Sequence, residues 1–114
     1  MDIFLILNYF AVVVTLFTGL YSLFAPKKIK GFTGLEASSP RAITEIRAVM
    51  GGAFVGLGVA AIIFPVREVF LTLAIMYAAI GLIRAVSMVF DKAMEKSNLI
   101  SLVSEVVLVI LLVL

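Results

Sequence analysis

The sequence predicts an all-α integral membrane protein, folded as an antiparallel four-helix bundle. Hydrophobic residues make up 64% of the 114 residues and charged residues only 14%, whereas a soluble domain carries about 25% charged residues. The mean hydropathy is +1.28, and the apolar residues fall into four long segments separated by prolines and charged loops. Because a soluble core of this length has no room for so much apolar surface, lipid must cover the outside of the protein.

The four apolar segments follow one another in a single domain, residues 1–114. A helix rises 1.5 Å per residue, and a span of a bilayer takes about 17–25 residues, so the first three segments are long enough to cross and the fourth is just long enough. No alternation with the period of a β-strand competes with this assignment. The predicted spans are residues 3–25, 40–64, 67–90 and 98–114.

Local signals place the ends of these helices. The first helix stops before Pro26. Ser39 is the predicted N-cap of the second helix, with Pro40 at the first helical position. Ser97 or Asn98 is the predicted cap of the fourth. The link between the second and third helices is so short that these two are expected to be antiparallel neighbours.

The positions of the loop cations predict the orientation in the membrane. Arg67 is the one cation in the short link on one side. The loops on the other side contain Lys27, Lys28, Lys30, Arg41, Lys92 and Lys96. Because cytoplasmic loops carry an excess of Lys and Arg, loops 26–39 and 91–97 are expected in the cytoplasm and both termini outside. The expected location is a cell inner membrane.

Composition also excludes several function classes. The chain has no cysteine and no histidine, which excludes disulfides and thiol chemistry and removes the commonest metal and haem ligands. We expect no cofactor and no metal. A net charge of +2 is too small to suggest nucleic-acid binding. Acid–base candidates reduce to Glu45, Glu105 and Tyr77 without a nucleophile, so no catalytic residue is assigned and a non-enzymatic role is favoured.

Ionisable residues inside the predicted spans are the most informative feature of the sequence, since a charge at the bilayer centre costs roughly 2.5–3.5 kcal/mol on insertion scales. Arg47, Arg84 and Glu105 each lie about 9–10 Å from the loop end of their helix, counted at 1.5 Å per residue. The first and third helices add hydroxyls near this depth: Thr18, Ser22 and Ser87. The sequence therefore predicts a polar cluster near the cytoplasmic side of the bundle.

Two interpretations of this cluster stay open. In the first, Glu105 pairs with an arginine, the hydroxyls complete the network, and the cluster fixes the order of the helices. In the second, the arginine left over after pairing binds an anionic or carbonyl-bearing lipophilic ligand. Arg47 has a third option, because its long side chain can extend to the membrane interface.

Small residues predict where helices approach closely, since TM helices associate through such faces. The second helix places them at four-residue steps, and the third helix offers a matching set, so the two helices of the short hairpin are the expected pair. A second protomer or another subunit is the alternative partner. The residues assigned to packing are Ala48, Gly51, Gly52, Gly56, Ala60, Ala74, Ala78 and Gly81.

Two segments carry a family resemblance, EIRAVMGGAFVGLGVA in the second helix and GLIRAVSMVFD at the end of the third. Together with the glutamate of the fourth helix, they resemble the small bacterial membrane proteins of the domain-of-unknown-function family numbered 4345, which is distantly similar to DoxX-like proteins. The resemblance covers nearly the whole chain and implies a four-helix fold without an established activity. The DoxX-like proteins' link to quinone-connected oxidoreductases implies a lipophilic redox ligand. The resemblance marks Arg47, Gly51, Gly52, Gly56, Arg84, Ser87 and Glu105.

These features favour a non-enzymatic accessory or structural subunit of a larger membrane complex, or a homo-oligomer, packing through small-residue helix faces. The alternative is a binder or carrier of a lipophilic anionic or quinone-like ligand in a polar pocket near the cytoplasmic side. In both cases the lipid bilayer is the first partner, and no nucleic acid is expected.

Overall fold

A computed structural model describes residues 2–114, with the backbone alone at Phe32. Residues 2–114 form an all-helical fold without β-strands, as the sequence predicts. Four helices are long and apolar enough to cross a membrane: Ile3–Phe24, Pro40–Ile63, Arg67–Phe90 and Lys96–Val113. The chain is therefore a multi-pass membrane protein.

The first spanning helix is α1, Ile3–Phe24, and a short helix α2, Lys30–Thr33, lies in the loop after it. The second spanning helix is built from three parts: α3 (Pro40–Glu45), a π-helical segment (Ile46–Ala53) and α4 (Phe54–Ile63). The third and fourth are α5, Arg67–Phe90, and α6, Lys96–Val113.

The helix starts agree with the sequence at the second helix and differ at the fourth. The Ser39 hydroxyl accepts the Ala42 N–H at 3.1 Å, and Pro40 takes the first helical position. The prediction that Ser97 or Asn98 caps the fourth helix is wrong, because α6 begins at Lys96 and has no side-chain cap hydrogen bond. The Asn98 side chain is engaged elsewhere, as described below.

The helices pack in an order different from the one expected. α1 lies at the centre of the arrangement and packs against the π segment, α4 and α6, while α5 packs mainly against α6. The second spanning helix touches α5 through α4 but makes no substantial contact with it through the π segment. The helices joined by the short link are thus close at that link and separate toward the opposite face, so the expected close pairing of this hairpin is wrong.

The small residues of the second helix face two directions. A Cβ built on Gly51 would lie 3.0 Å from the Leu23 Cβ, and one on Gly58 would lie 2.5 Å from the Leu16 side chain. These glycines therefore face α1, and α1 contributes Gly19, whose built Cβ would lie 2.7 Å from the Val55 backbone nitrogen.

The small residues at four-residue steps in the second helix, which we call the stripe, mostly do not pack within the bundle. Ala48, Gly52 and Gly56 are exposed, and nothing lies within 4 Å of a Cβ built on Gly56. The second helix instead turns Gly51 and Gly58 toward α1, which leaves these three small residues on its uncovered face.

The remaining small residues belong to α5. Ala74 is buried in the apolar core, Ala78 is exposed, and Gly81 is buried against Glu105 and Leu102 of α6. Gly81 therefore serves the packing of α5 on α6 instead of the expected packing on the second helix. Ala60, the last member of the stripe, is partly buried.

The loop between α1 and the second helix folds back under the bundle. Pro26 is buried and Ile29 is fully buried, and α2 packs against α6. Gly34 ends α2 with φ of 75°, a left-handed conformation that glycine adopts without strain. This loop forms a floor beneath the space enclosed by the four helices.

Candidate ligand-binding site

A bidentate ion pair joins α5 and α6. The Arg84 Nε lies 2.9 Å from the Glu105 Oε1, and the Arg84 Nη2 lies 2.8 Å from the Glu105 Oε2. The side chains are 27% and 11% exposed, and this paired geometry is the strongest that arginine and carboxylate adopt. The structure therefore places two of the three predicted intramembrane charges together.

Asn98 is the third member of this network. Its Oδ1 accepts the Arg84 Nη1 N–H at 2.8 Å, and its Nδ2 donates to the Ala93 carbonyl at 2.9 Å. The amide thus connects the guanidinium to the loop before α6. These contacts hold the end of α5 and the start of α6 in one arrangement.

Arg84 has hydrogen-bonding capacity left over. A guanidinium carries five N–H donors, and the bonds to Glu105 and Asn98 use one on each of its three nitrogens. One N–H on each Nη is therefore without a partner among the described residues. Both can serve an acceptor atom from outside the chain.

The guanidinium borders a cavity between the helices, which we call the central cavity. Its volume is about 460 Å³, within the roughly 300–1,000 Å³ range of small-molecule sites. All four spanning helices and α2 contribute to its wall. The residues that matter here are Val14, Thr18, Met50, Phe54, Tyr77, Ile80, Arg84, Ser97 and Glu105.

Arg84 also borders a second space, which we call the outer groove. This groove has a volume of about 420 Å³ and is lined by Ile80, Ile83, Arg84, Ser87 and Asn98. Arg84 and Ile80 therefore separate the two spaces. Glu105 lines the central cavity and is not part of the outer groove.

Hydroxyl groups continue the polar network toward the membrane centre. The Tyr77 and Thr15 hydroxyls lie 2.6 Å apart, and the Thr15 hydroxyl also bonds the Ala11 carbonyl at 2.9 Å. Since Thr15 has one proton and gives it to Ala11, Tyr77 donates to Thr15. Tyr77 packs edge-on against Phe54 with centroids 6.2 Å apart, which ties α5 to the second helix at this level.

The remaining predicted cluster residues differ in their surroundings. Thr18 lines the central cavity and donates its hydroxyl to the Val14 carbonyl. Ser22 is fully buried and donates to the Thr18 carbonyl. Ser87 lies in the outer groove and bonds Asp91 at 2.6 Å.

Arg47 is not part of the cluster. It is exposed on the π segment and has no hydrogen bond or ion pair within residues 2–114. The prediction that Arg47 shares a polar cluster with Arg84 and Glu105 is therefore wrong. Equal depth is not enough to bring side chains together, because the direction in which each helix presents them also matters. Glu45 pairs instead with Arg41 one turn earlier, at 3.0 Å, as its local spacing suggests.

Sequence reasoning missed two contributors. Asn98 has the residue type and position of a helix cap, although its place beside the third loop is also compatible with a partner on α5. The Thr15–Tyr77 bond joins residues near the middle of two helices, and a count at 1.5 Å per residue puts them about 15 and 20 Å from the loop ends, which does not indicate a pair.

No curated protein and no solved structure matches the chain. A family profile described as a domain of unknown function, DUF4345, matches residues 3–114. The match confirms the resemblance inferred from the arginine–glycine and arginine–serine segments. The chain, a small multi-pass membrane protein with four helices around a central cavity, thus belongs to the DUF4345 family.

Proposed function

We propose that this protein binds a lipophilic ligand in the central cavity, with the polar headgroup of the ligand at Arg84. The observation that carries the proposal is a partly buried guanidinium that borders a cavity of about 460 Å³ and keeps two N–H donors without partners. Donors at the wall of a cavity can fix the polar group of a ligand. An acceptor atom of the ligand would bond to these N–H groups.

The rest of the cavity suits the apolar part of such a ligand. Val14, Met50, Phe54 and Ile80 supply much of the wall, while the polar groups lie toward the loop end. Ligand pockets commonly combine an apolar lining with a few placed polar groups. Ionisable residues in TM helices are by default candidates for a functional site.

A cavity-filling variant tests this proposal. Val14 lines the central cavity, whereas its neighbour Val13 is 60% exposed on the outer face of α1. The full chain is purified in native nanodiscs, and bound lipids are identified by native mass spectrometry. Val14→Phe should deplete a co-purified lipophile that the wild type and Val13→Phe retain. Absence of a bound lipophile in all three, or its equal retention in all three, would contradict the proposal. Thermal unfolding checks that both variants are folded.

A second candidate function, an accessory subunit of a larger membrane complex or a homo-oligomer, is supported by one observation. Ala48, Gly52 and Gly56 form a small-residue face that no part of residues 2–114 covers. Such faces allow close helix approach in membranes. Gly56→Leu should then disrupt a complex seen on a native gel, and an unchanged mass would refute this role.

For the orientation, we propose an inner-membrane location with both termini outside. The loops with Lys27, Lys28, Lys30, Lys92 and Lys96 lie on the same side of the bundle as Arg84 and the floor of the cavity. The excess of loop cations on one side supports a cytoplasmic position for that side. The headgroup end of the cavity would then face the cytoplasmic leaflet.

A further inference from the structure

The central cavity has unequal walls, and the weakest lies between the second spanning helix and α5. Phe54 and Tyr77 close this wall near the membrane centre through their ring contact. Below that contact, the π segment and α5 make no substantial contact. Met50 on one side and Ile80 on the other line the cavity there. We call this part of the wall the seam.

The aqueous side of the cavity is more fully covered. Gly31 and Thr33 of α2 form part of the floor, and α2 packs against α6. The fully buried Ile29 anchors this loop under the bundle. A ligand that comes from the membrane through the seam meets little packing between helices, whereas Gly31 and Thr33 of α2 lie across the side of the cavity toward water.

The charge at the headgroup position is balanced. Arg84 and Glu105 form a close bidentate pair, and Arg47 points outward from the bundle. An anionic headgroup would therefore face a guanidinium whose charge is already neutralised by a carboxylate that lines the same cavity. It would also lose its hydration on entry, a loss that needs an unpaired cation to offset it. A neutral acceptor avoids this cost.

The hydrogen-bonding pattern specifies the acceptor further. The site offers donors: the two remaining N–H groups of Arg84, and the Ser97 hydroxyl at the loop end of the cavity. The Thr18 and Tyr77 hydroxyl protons are directed to acceptors inside the protein. A carbonyl oxygen has two lone pairs and no proton, and it matches this arrangement.

From these features we infer that the central cavity takes an uncharged lipophile with a carbonyl oxygen, which enters from the membrane through the seam and places that oxygen on Arg84. This inference rests on the proposed function and adds the charge class of the headgroup and the route of entry. It names no oxidation or transfer step, because binding alone is required.

The experiment uses the full chain reconstituted in lipid nanodiscs and two photoactivatable probes delivered in the bilayer. One probe is the methyl ester of a diazirine-bearing palmitic acid, and the other is the corresponding free acid. The ester should label peptides that contain Met50 and Ile80. An excess of unlabelled ester should reduce this labelling more than an excess of the free acid. Stronger labelling of this site by the acid would overturn the charge class while leaving the proposed function standing.

Two variants test the headgroup and the route. Arg84→Met combined with Glu105→Met removes the donors without leaving an unpaired charge, and binding of the ester should fall about tenfold or more, the loss expected for a hydrogen bond to a charged donor. Ile80→Trp should slow labelling by blocking the seam, whereas Ile75→Trp on the 70% exposed face of α5 should not.

The sites of labelling separate the remaining outcomes. Labelling at Ile83 and Ser87 in place of Met50 and Ile80 would put the ligand in the outer groove and overturn the seam as the route. Equal rates for the two tryptophan variants would also overturn the route. If neither probe labels the cavity of the wild-type protein, the proposed function fails together with this inference. Because the mapping uses the wild type, a variant that does not fold leaves the test intact.

Discussion

Replacing Arg84 and Glu105 by methionine gives the sharpest test of what this ion pair contributes to the stability of the bundle. We develop it as a double-mutant cycle. The single changes are Arg84→Met and Glu105→Met, and the double variant carries both. Each single change leaves one ion without its partner in a site where the side chains are 27% and 11% exposed. The double variant leaves no charge and keeps apolar volume.

The expected magnitudes follow from this burial. Breaking a buried pair typically costs about 3–5 kcal/mol, because the remaining ion has lost its compensation. Arg84 is the more exposed partner and its long side chain can extend toward the interface, so Glu105→Met should cost about 3 kcal/mol, the low end of that range. Replacing both ions by apolar residues is often neutral or stabilising, so the double variant should lie within about 1 kcal/mol of the wild type.

The assay is reversible unfolding in mixed micelles, followed by helical circular dichroism, with the free energy of unfolding compared across the four proteins. The matched control is the same cycle at Arg41 and Glu45, whose side chains are 82% and 52% exposed. An exposed helical pair of this spacing contributes about 0.3–0.5 kcal/mol. A coupling energy at Arg84 and Glu105 no larger than the control value would refute the role of the buried pair.

Three further predictions concern topology, close packing and the hydroxyl pair. A cysteine at Gly31 should resist a membrane-impermeant thiol reagent in intact cells while one at Arg67 reacts, and the reverse pattern would overturn the proposed orientation. Gly19→Ala should destabilise the bundle by about 1–3 kcal/mol, since its Cβ would lie 2.7 Å from the Val55 backbone nitrogen. Gly56→Ala should not, because open space surrounds that position. Equal unfolding free energies of the two variants would contradict this packing. Tyr77→Phe removes one buried hydrogen bond and should cost about 0.6 kcal/mol, the average for such bonds between membrane helices, and a loss within error of zero would show that the bond adds no stability.

The fold follows from the sequence because the lipid bilayer imposes one simple constraint on the backbone. Each segment that crosses hydrocarbon must satisfy its own backbone hydrogen bonds, so long apolar stretches become helices. Pro26 and the Ser39–Pro40 pair then mark where helices stop and start. The third spanning helix, Arg67–Phe90, has the bounds predicted from the sequence. These features are local, and composition and spacing are enough to identify them.

Part of the candidate site could also be predicted from the sequence. Counting residues from the loop ends places Arg84 and Glu105 at one depth, and the structure pairs them. The same count places Arg47 at this depth, yet its side chain lies outside the bundle. The depth of a residue follows from the rise of its helix. The residues that its side chain contacts also depend on the rotation of the helix about its axis, and a residue count gives no information on rotation.

The tertiary structure alone decided which faces meet. The second spanning helix is rotated about its axis so that Gly51 and Gly58 contact α1 while Gly52 and Gly56 stay uncovered. It also decided that Asn98 serves Arg84 instead of a helix end, and that a cavity remains beside the ion pair. By itself, then, the sequence determined the helices, most of their boundaries and the depth of their charges, because these depend on local spacing and on the lipid solvent. Rotation, neighbour order and the cavity arise from packing between distant segments, and no local pattern in the chain encodes them.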